Sequence, residues 1–209
     1  MILEVNPDHP QPYKIKKIVE VLNNDGIIIY PTDTIYGIGC SIYSSKGIER
    51  IKQIKGREKN KYFSILCADL KHLSKYAKNV SNEAYKLMRK ILPGPYTVIL
   101  EASREIPRIL HSKRKTVGIR VPDHQLCRDI VRELGHPIIT TSANKSGQEP
   151  LNDPQLLEEE FGKLVDMVID GGVLFSEPST VIDLSSKPFK ILRKGNDPYQ
   201  LAELFQENE

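Results

Sequence analysis

The sequence predicts an α/β (α+β) fold, one large twisted sheet with flanking helices. Three observations predict it: short apolar β-branched runs recur along the chain, segments of helical apolar spacing lie between them, and no repeat or linker divides the 209 residues. A chain of this size buries about 70% of its unfolded surface in one core without staples. A single domain over residues 1–209 is therefore expected.

Taken in order, Ile15, Ile18, Val19 and Leu22 share one helix face, and Gly26 stops that helix. The run IIIYP, residues 27–31, reads as a buried strand ended by proline. Ile48, Ile51 and Ile54 mark a second helix ahead of Lys55-Gly56-Arg57. FSILC, residues 63–67, reads as a strand, and residues 81–92 as a helix with Ser81 as N-cap and Pro93-Gly94 as stop. YTVILE, TVGIRV, PIITTS, DMVID, STVIDL and FKILR follow as strands, with helices near 124–134, 155–161 and 198–206.

Composition narrows the function. With 39% hydrophobic and 27% charged residues the chain is not a disordered one. No apolar run approaches the roughly 20 residues that span a bilayer, and no basic stretch leads into an apolar one at the N-terminus, so a cytoplasmic protein without a membrane partner is expected. Cys40, Cys67 and Cys127 form no CxxC pair and read as small core residues. The five histidines are scattered, so no metal site is expected. Positions 1–120 hold 22 basic and 11 acidic residues, and positions 121–209 hold 8 and 16. Such asymmetry suits a face that attracts phosphates or nucleic acid. Its densest clusters run from Lys55 to Lys61 and from Lys113 to Arg120.

Several chemistries are excluded by motif. There is no GxxxxGK[ST], no HExxH and no GxSxG, and Gly37-Ile38-Gly39 lacks the third glycine of a dinucleotide fingerprint. What remains is a series of polar segments at strand ends. PTDTIYG, residues 31–37, clusters hydroxyls and a ring that could bond a small polar ligand; the other reading is a turn in which Asp33 bonds local backbone. Lys55-Gly56-Arg57, with Lys59 and Lys61, joins a point charge to a planar fork and suits a polyphosphate, or else is a charged helix end. Thr140 to Gly147 offers short hydroxyls and an amide at a strand-to-loop junction. Pro178-Ser179-Thr180 opens a strand and Arg193-Lys194-Gly195 closes one.

In this order PTDTIYG, KGR, GIRVPDH, TSANKSG, EPSTVIDL and ILRKG resemble the YrdC/YciO family, the threonylcarbamoyl-AMP synthases, over about residues 12–198. KRKTVGIRVP and DGGVLFSEPSTVIDL look closest to its YciO branch. The resemblance implies a mixed, YrdC-like sheet curving round a basic concave cavity. It implies a nucleotidyltransferase that joins L-threonine, bicarbonate and ATP into threonylcarbamoyl-AMP, with Mg²⁺ on the phosphates. The product would serve tRNA threonylcarbamoyladenosine modification through a downstream tRNA threonylcarbamoyl transferase complex. In such a reaction a carbamate oxygen attacks the α-phosphate, so no enzyme nucleophile is required.

The resemblance also assigns roles. Lys55 and Arg57 would be catalytic, neutralising the leaving pyrophosphate. Lys61, Thr116, Ser142, Asn144 and Arg193 would bind ATP. Thr34, Tyr36, Arg120, Thr140, Ser179 and Thr180 would form the threonine pocket, with Arg120 holding the carboxylate in bidentate fashion. For Arg120 the other reading is a structural ion pair with Asp123 or Asp183. The rival function is an RNA-binding protein, a tRNA or ribosome-maturation factor, that uses the basic cavity for tRNA or double-stranded RNA without catalysis. Its weakness is the small aromatic inventory, with no Trp, five Phe and nine Tyr.

Overall fold

The computed structural model describes residues 1–56, 63–107, 110 and 115–201. Among these, the strands are β1 (Ile2–Glu4), β2 (Ile28–Tyr30), β3 (Gly37–Ser41), β4 (Ser64–Leu66), β5 (Ala77–Lys78), β6 (Tyr96–Ala102), β7 (Thr116–Arg120), β8 (Ile138–Ser142), β9 (Met167–Asp170), β10 (Thr180–Asp183) and β11 (Lys190–Arg193). The helices are α1 (Pro12–Asn23), α2 (Ser45–Lys55), α3 (Leu73–Tyr76), α4 (Asn82–Ile91), α5 (Gln125–Leu134) and α6 (Pro154–Phe161). All strands join one mixed sheet in the order β1-β9-β2-β3-β8-β4-β7-β6-β10-β11, with β5 paired to β6. The sheet contains both parallel pairs (β4 with β7, β6 with β10) and antiparallel ones (β3 with β8, β6 with β7). No described helix is long and apolar enough to cross a membrane.

The expected helices form for the expected local reasons. The Ser81 hydroxyl accepts from the Ala84 N–H at the start of α4, and Gly135 closes α5 in the left-handed conformation. Of the helix expected at 198–206, residues 198 and 199 form a turn and 202–206 lie outside the described residues. Three strands and one helix carry no sequence signal read above. β3 contains Gly37, the end of the segment that could also read as a turn, and Gly39, yet all five of its residues are buried. The glycines are there because neighbouring strands crowd them: a Cβ on Gly39 would strike the Ile139 carbonyl and sit 2.7 Å from Ile138 Cγ2. β1, α3 and β5 are two to four residues long and owe their form to their partners, as β1 does to β9.

Side chains alternate across the sheet. Ile38, Ile65, Val98, Ile119, Ile139 and Ile182 point to one face, where they pack with Ile48 and Ile51 of α2, Met88 and Ile91 of α4, and Leu157 and Phe161 of α6. Ile28, Tyr30, Leu66, Ile138, Met167 and Ile169 point to the other, under Ile15, Ile18 and Leu22 of α1 and Leu126 and Ile130 of α5. Helices α1 and α5 cover only part of that second face. Further along the same strands, its positions are taken by Ser64, Gly118, Arg120, Thr140 and Ser142, and a hollow opens there.

Gly39→Ala should lower the unfolding free energy by about 1–3 kcal/mol, the usual cost of overpacking. A urea titration monitored by circular dichroism reads it directly; an unchanged midpoint would mean β3 and β8 can move apart freely.

Candidate functional site

The hollow is a cavity of about 770 Å³, within the range of small-molecule sites. Its floor consists of alternate residues from adjacent strands: Thr97 and Ile99 of β6, Gly118 and Arg120 of β7, Ser64 of β4, Thr140 and Ser142 of β8. Ser64 faces Gly118 on one side and Thr140 on the other. Three small residues in register keep the floor low. Ser179, Val181, Leu192 and Arg193 wall one side, and Tyr36, Phe63 and Pro150 contribute elsewhere.

Two guanidiniums reach this space. Arg193 at the end of β11 donates through Nε and Nη2 to the Ser179 carbonyl at 3.1 and 2.7 Å, and through Nη2 to Ser179 Oγ at 3.1 Å. Ser179 Oγ in turn shares a hydrogen bond of 2.8 Å with Thr97 Oγ1. Arg120 at the end of β7 donates from Nη2 to Asp33 Oδ1 and to Thr34 Oγ1, both at 2.9 Å. Burial first, and then the nearby Arg120 charge, holds the Arg193 pKa below its ordinary value. The described lining contains no carboxylate. Arrangements of this kind receive anions.

A loop beyond β8 supplies the polar wall. Ser142 Oγ donates to Asn144 Oδ1 at 2.6 Å, and the Asn144 amide donates to the Gln148 carbonyl. Lys55, the last residue of α2, binds this loop from outside the cavity: its Nζ donates to the Ser142 carbonyl at 2.7 Å and to Asn144 Oδ1 at 2.6 Å. Gly56 follows as the C-cap of α2 with φ of +78°, a conformation that favours glycine. On the floor, Tyr30 donates to Thr140 Oγ1 at 2.6 Å. Burial pushes the Tyr30 phenol up, so it remains a donor, and the Thr140 hydroxyl keeps its own proton for a ligand.

The structure brings Tyr36, Arg120, Thr140, Ser142, Asn144, Ser179 and Arg193 to one cavity. Thr34 sits behind Arg120 as its hydrogen-bond partner. Thr180 is a wall strut whose hydroxyl donates to the Asn196 carbonyl at 2.9 Å and accepts from the Gly195 N–H. Tyr36 offers its ring, since its hydroxyl bonds the Gly172 carbonyl and the Gly171 N–H, and burial pushes its pKa up to about 12. Thr116 stands at the opposite end of β7 from Arg120, paired with Glu101, and does not line the cavity. Arg57 and Lys61 lie outside the described residues. The carboxylate that pairs with Arg120 is Asp33, not Asp123 or Asp183. Asp183 accepts from Ser185 instead, and Asp123 lends its backbone N–H to Asp33 Oδ2 at 3.0 Å. Both Nη2 hydrogen bonds of Arg120 are thus taken, which removes that nitrogen from the bidentate grip expected of it. Sequence reading took Asp33 for a turn former and missed Tyr30, Ser64, Thr97 and Gly118 as site residues; the only signal these four strand residues carry is parity, which needs the register.

The cysteines are buried and free, and burial pushes all three thiols up, Cys40 and Cys67 to about 12, which disfavours the thiolate a nucleophile needs.

The profile of the Sua5/YciO/YrdC proteins, described as "Telomere recombination", matches residues 20–195. The chain belongs to this family. An uncharacterised protein of Haemophilus influenzae is 40% identical over 195 residues, which is 92% of this chain and 94% of the relative. YciO of Escherichia coli K12 is 39% identical over 193 residues, 91% of this chain and 93% of the relative. A putative threonylcarbamoyl-AMP synthase of Methanocaldococcus jannaschii is 39% identical over 191 residues, 88% and 89%. Among solved structures, E. coli YciO superposes with a TM-score of 0.90 at 37% identity, covering 96% of this chain and 98% of that one. Pyrococcus abyssi Sua5 complexed with L-threonine superposes with a TM-score of 0.91 at 30% identity, covering 98% of this chain and 60% of that longer one. The mixed sheet with flanking helices is therefore the YrdC-like fold the motifs implied.

His124, the N-cap of α5, has its pKa lowered from 6.5, first by burial. The unfolded chain then takes up this proton more readily than the folded one. The stability it contributes is whole above pH 6.5 and is lost as the pH falls toward the lower folded value. Wild type should lose up to about 1.4 kcal/mol per pH unit more than His124→Asn in that window, measured by denaturation at stepped pH. Parallel pH profiles would show that His124 does not titrate differently on folding.

Proposed function

We propose that the protein is a threonylcarbamoyl-AMP synthase, a cytoplasmic nucleotidyltransferase that condenses L-threonine, bicarbonate and ATP and releases pyrophosphate. The observation that carries this reading is the convergence of Arg120 and Arg193 on one cavity without a carboxylate in its described lining. Threonine and ATP are both anionic at the groups such a site would hold. The names of the synthase relatives and the threonine-bound Sua5 structure support the same reading. In it, the loop from Ser142 to Asn144, with Arg193, takes the nucleotide, and Thr34, Arg120, Thr140 and Ser179 form the threonine end.

The reaction asks for positioning and charge neutralisation rather than a nucleophile. Lys55 would act chiefly by setting the Ser142–Asn144 loop, and Arg57 and Lys61 would add charge to the phosphates. Among the described residues no group of His, Cys, Asp and Glu could hold a metal. The Mg²⁺ implied with ATP fits as a counter-ion of the polyphosphate, and the chain supplies no cage of its own among these residues. The product would pass to a tRNA threonylcarbamoyl transferase complex. RNA binding without catalysis, the rival, leaves the small hydroxyl-lined cavity without a use.

The test is pyrophosphate release from ATP with and without threonine and bicarbonate. Release that needs all three supports the synthase; release indifferent to threonine, or none, overturns it. Lys55→Ala should reduce the rate about 10²-fold, the usual cost of displacing a positioning loop by about 1 Å. Arg120→Lys should raise KM for threonine with little change in KM for ATP, whereas an unchanged pair of constants would make Arg120 structural.

A further inference from the structure

Asp33 is a carboxylate that the motif places in the middle of PTDTIYG and that no local backbone turn uses. Its two oxygens have separate partners. Oδ1 accepts from Arg120 Nη2 at 2.9 Å, and Oδ2 accepts from the Asp123 N–H at 3.0 Å. Both side chains of the pair are at most 10% exposed. Such a pair is held firmly, because neither charge has water to fall back on.

The remaining neighbours of Asp33 do not compete for it. Burial keeps His124 toward its neutral form and pushes the Cys127 thiol up. Cys127 donates to the Pro31 carbonyl at 3.1 Å, and Arg128 lies 3.7 Å from Asp123. Arg120 is therefore the one cation paired with Asp33 among the described residues.

On the Arg120 side, Nη2 carries the bonds to Asp33 and Thr34, while Nε is buried without a partner. A buried donor without an acceptor is costly, and this one belongs to a residue that lines the cavity. We propose that Asp33 is the positioning residue of the site: it clamps Nη2 so that the rest of the guanidinium faces a ligand carboxylate, and it cancels one of the two arginine charges. The uncompensated charge in the described lining is then that of Arg193, at the end away from the clamped guanidinium's carboxylate partner. The inference rests on the proposed function only for the identity of the ligand, L-threonine.

The experiment compares wild type with Asp33→Asn by calorimetric titration of L-threonine and, separately, of inorganic pyrophosphate. In parallel, the Arg120 Nε–H resonance is followed in ¹⁵N–¹H spectra, assigned by its loss in Arg120→Lys. The expected result has opposite signs for the two ligands. Threonine binding weakens at least tenfold, pyrophosphate binds as well or better because a positive charge is uncovered, and the Nε–H signal broadens and exchanges faster with solvent. A merely structural Asp33 would weaken both ligands together, or neither, and leave the Nε–H signal in place; either outcome overturns the proposal. If wild type binds no threonine, the synthase reading fails, while the Nε–H signal alone still decides the clamp. If Asp33→Asn does not fold, the same readings are made on Asp33→Glu, which keeps the charge and displaces it by one methylene. Unchanged threonine binding and an unchanged Nε–H signal in that variant would likewise overturn it.

Discussion

The site exists because one face of the sheet is covered only in part. Helices α1 and α5 seal the second face over Ile28, Leu66, Ile138 and Met167. No described helix crosses the same face above Ser64, Gly118 and Thr140. Apolar side chains left bare there would cost stability, and the strands avoid it by changing character along one parity: Ile138 gives way to Thr140 and Ser142, and Leu66 is preceded by Ser64. Small residues at the register Ser64–Gly118 and Ser64–Thr140 then make a depression rather than a flat surface. Every polar group discussed above is placed relative to that depression.

Charge in the depression is arranged in two tiers. Arg193 is anchored through neutral oxygens of Ser179, so its charge stays uncompensated. Arg120 is anchored through Asp33, so its charge is cancelled while its geometry is stiffened. Two full guanidinium charges side by side would repel in a poorly solvated space. One cancelled and one intact gives an anion site that persists without ligand. The loop from Ser142 to Gln148 achieves the same stiffness with neutral bonds, tied to the end of α2 by Lys55 and by the Ser146 N–H on the Lys55 carbonyl at 3.1 Å.

Strong local signals were the legible ones. The helices α1, α4 and α5 could be read because their apolar positions repeat at helical spacing and local caps end them. Strands β6, β7, β8 and β10 could be read because they are short apolar, β-branched runs. β3 could not, since Gly37 and Gly39 answer to the crowding of Tyr30, Ile138 and Ile139 from neighbouring strands. Asp33 was visible as a residue of PTDTIYG but looked like a turn former; its partner Arg120 is 87 positions away and reaches it only in the folded sheet.

By itself, then, the sequence determined the class of fold, the absence of a protein nucleophile among the known motifs, and the family, because these depend on short-range periodicity and on ordered motifs. Tertiary structure decided which of the motif residues face a ligand. It turned Lys55 and Thr180 into struts, set Thr116 at the far end of its strand, and gave Arg120 the carboxylate of Asp33 as partner rather than Asp123 or Asp183. The physical reason is that orientation in a sheet follows parity and register, and both are settled by strands distant in the chain.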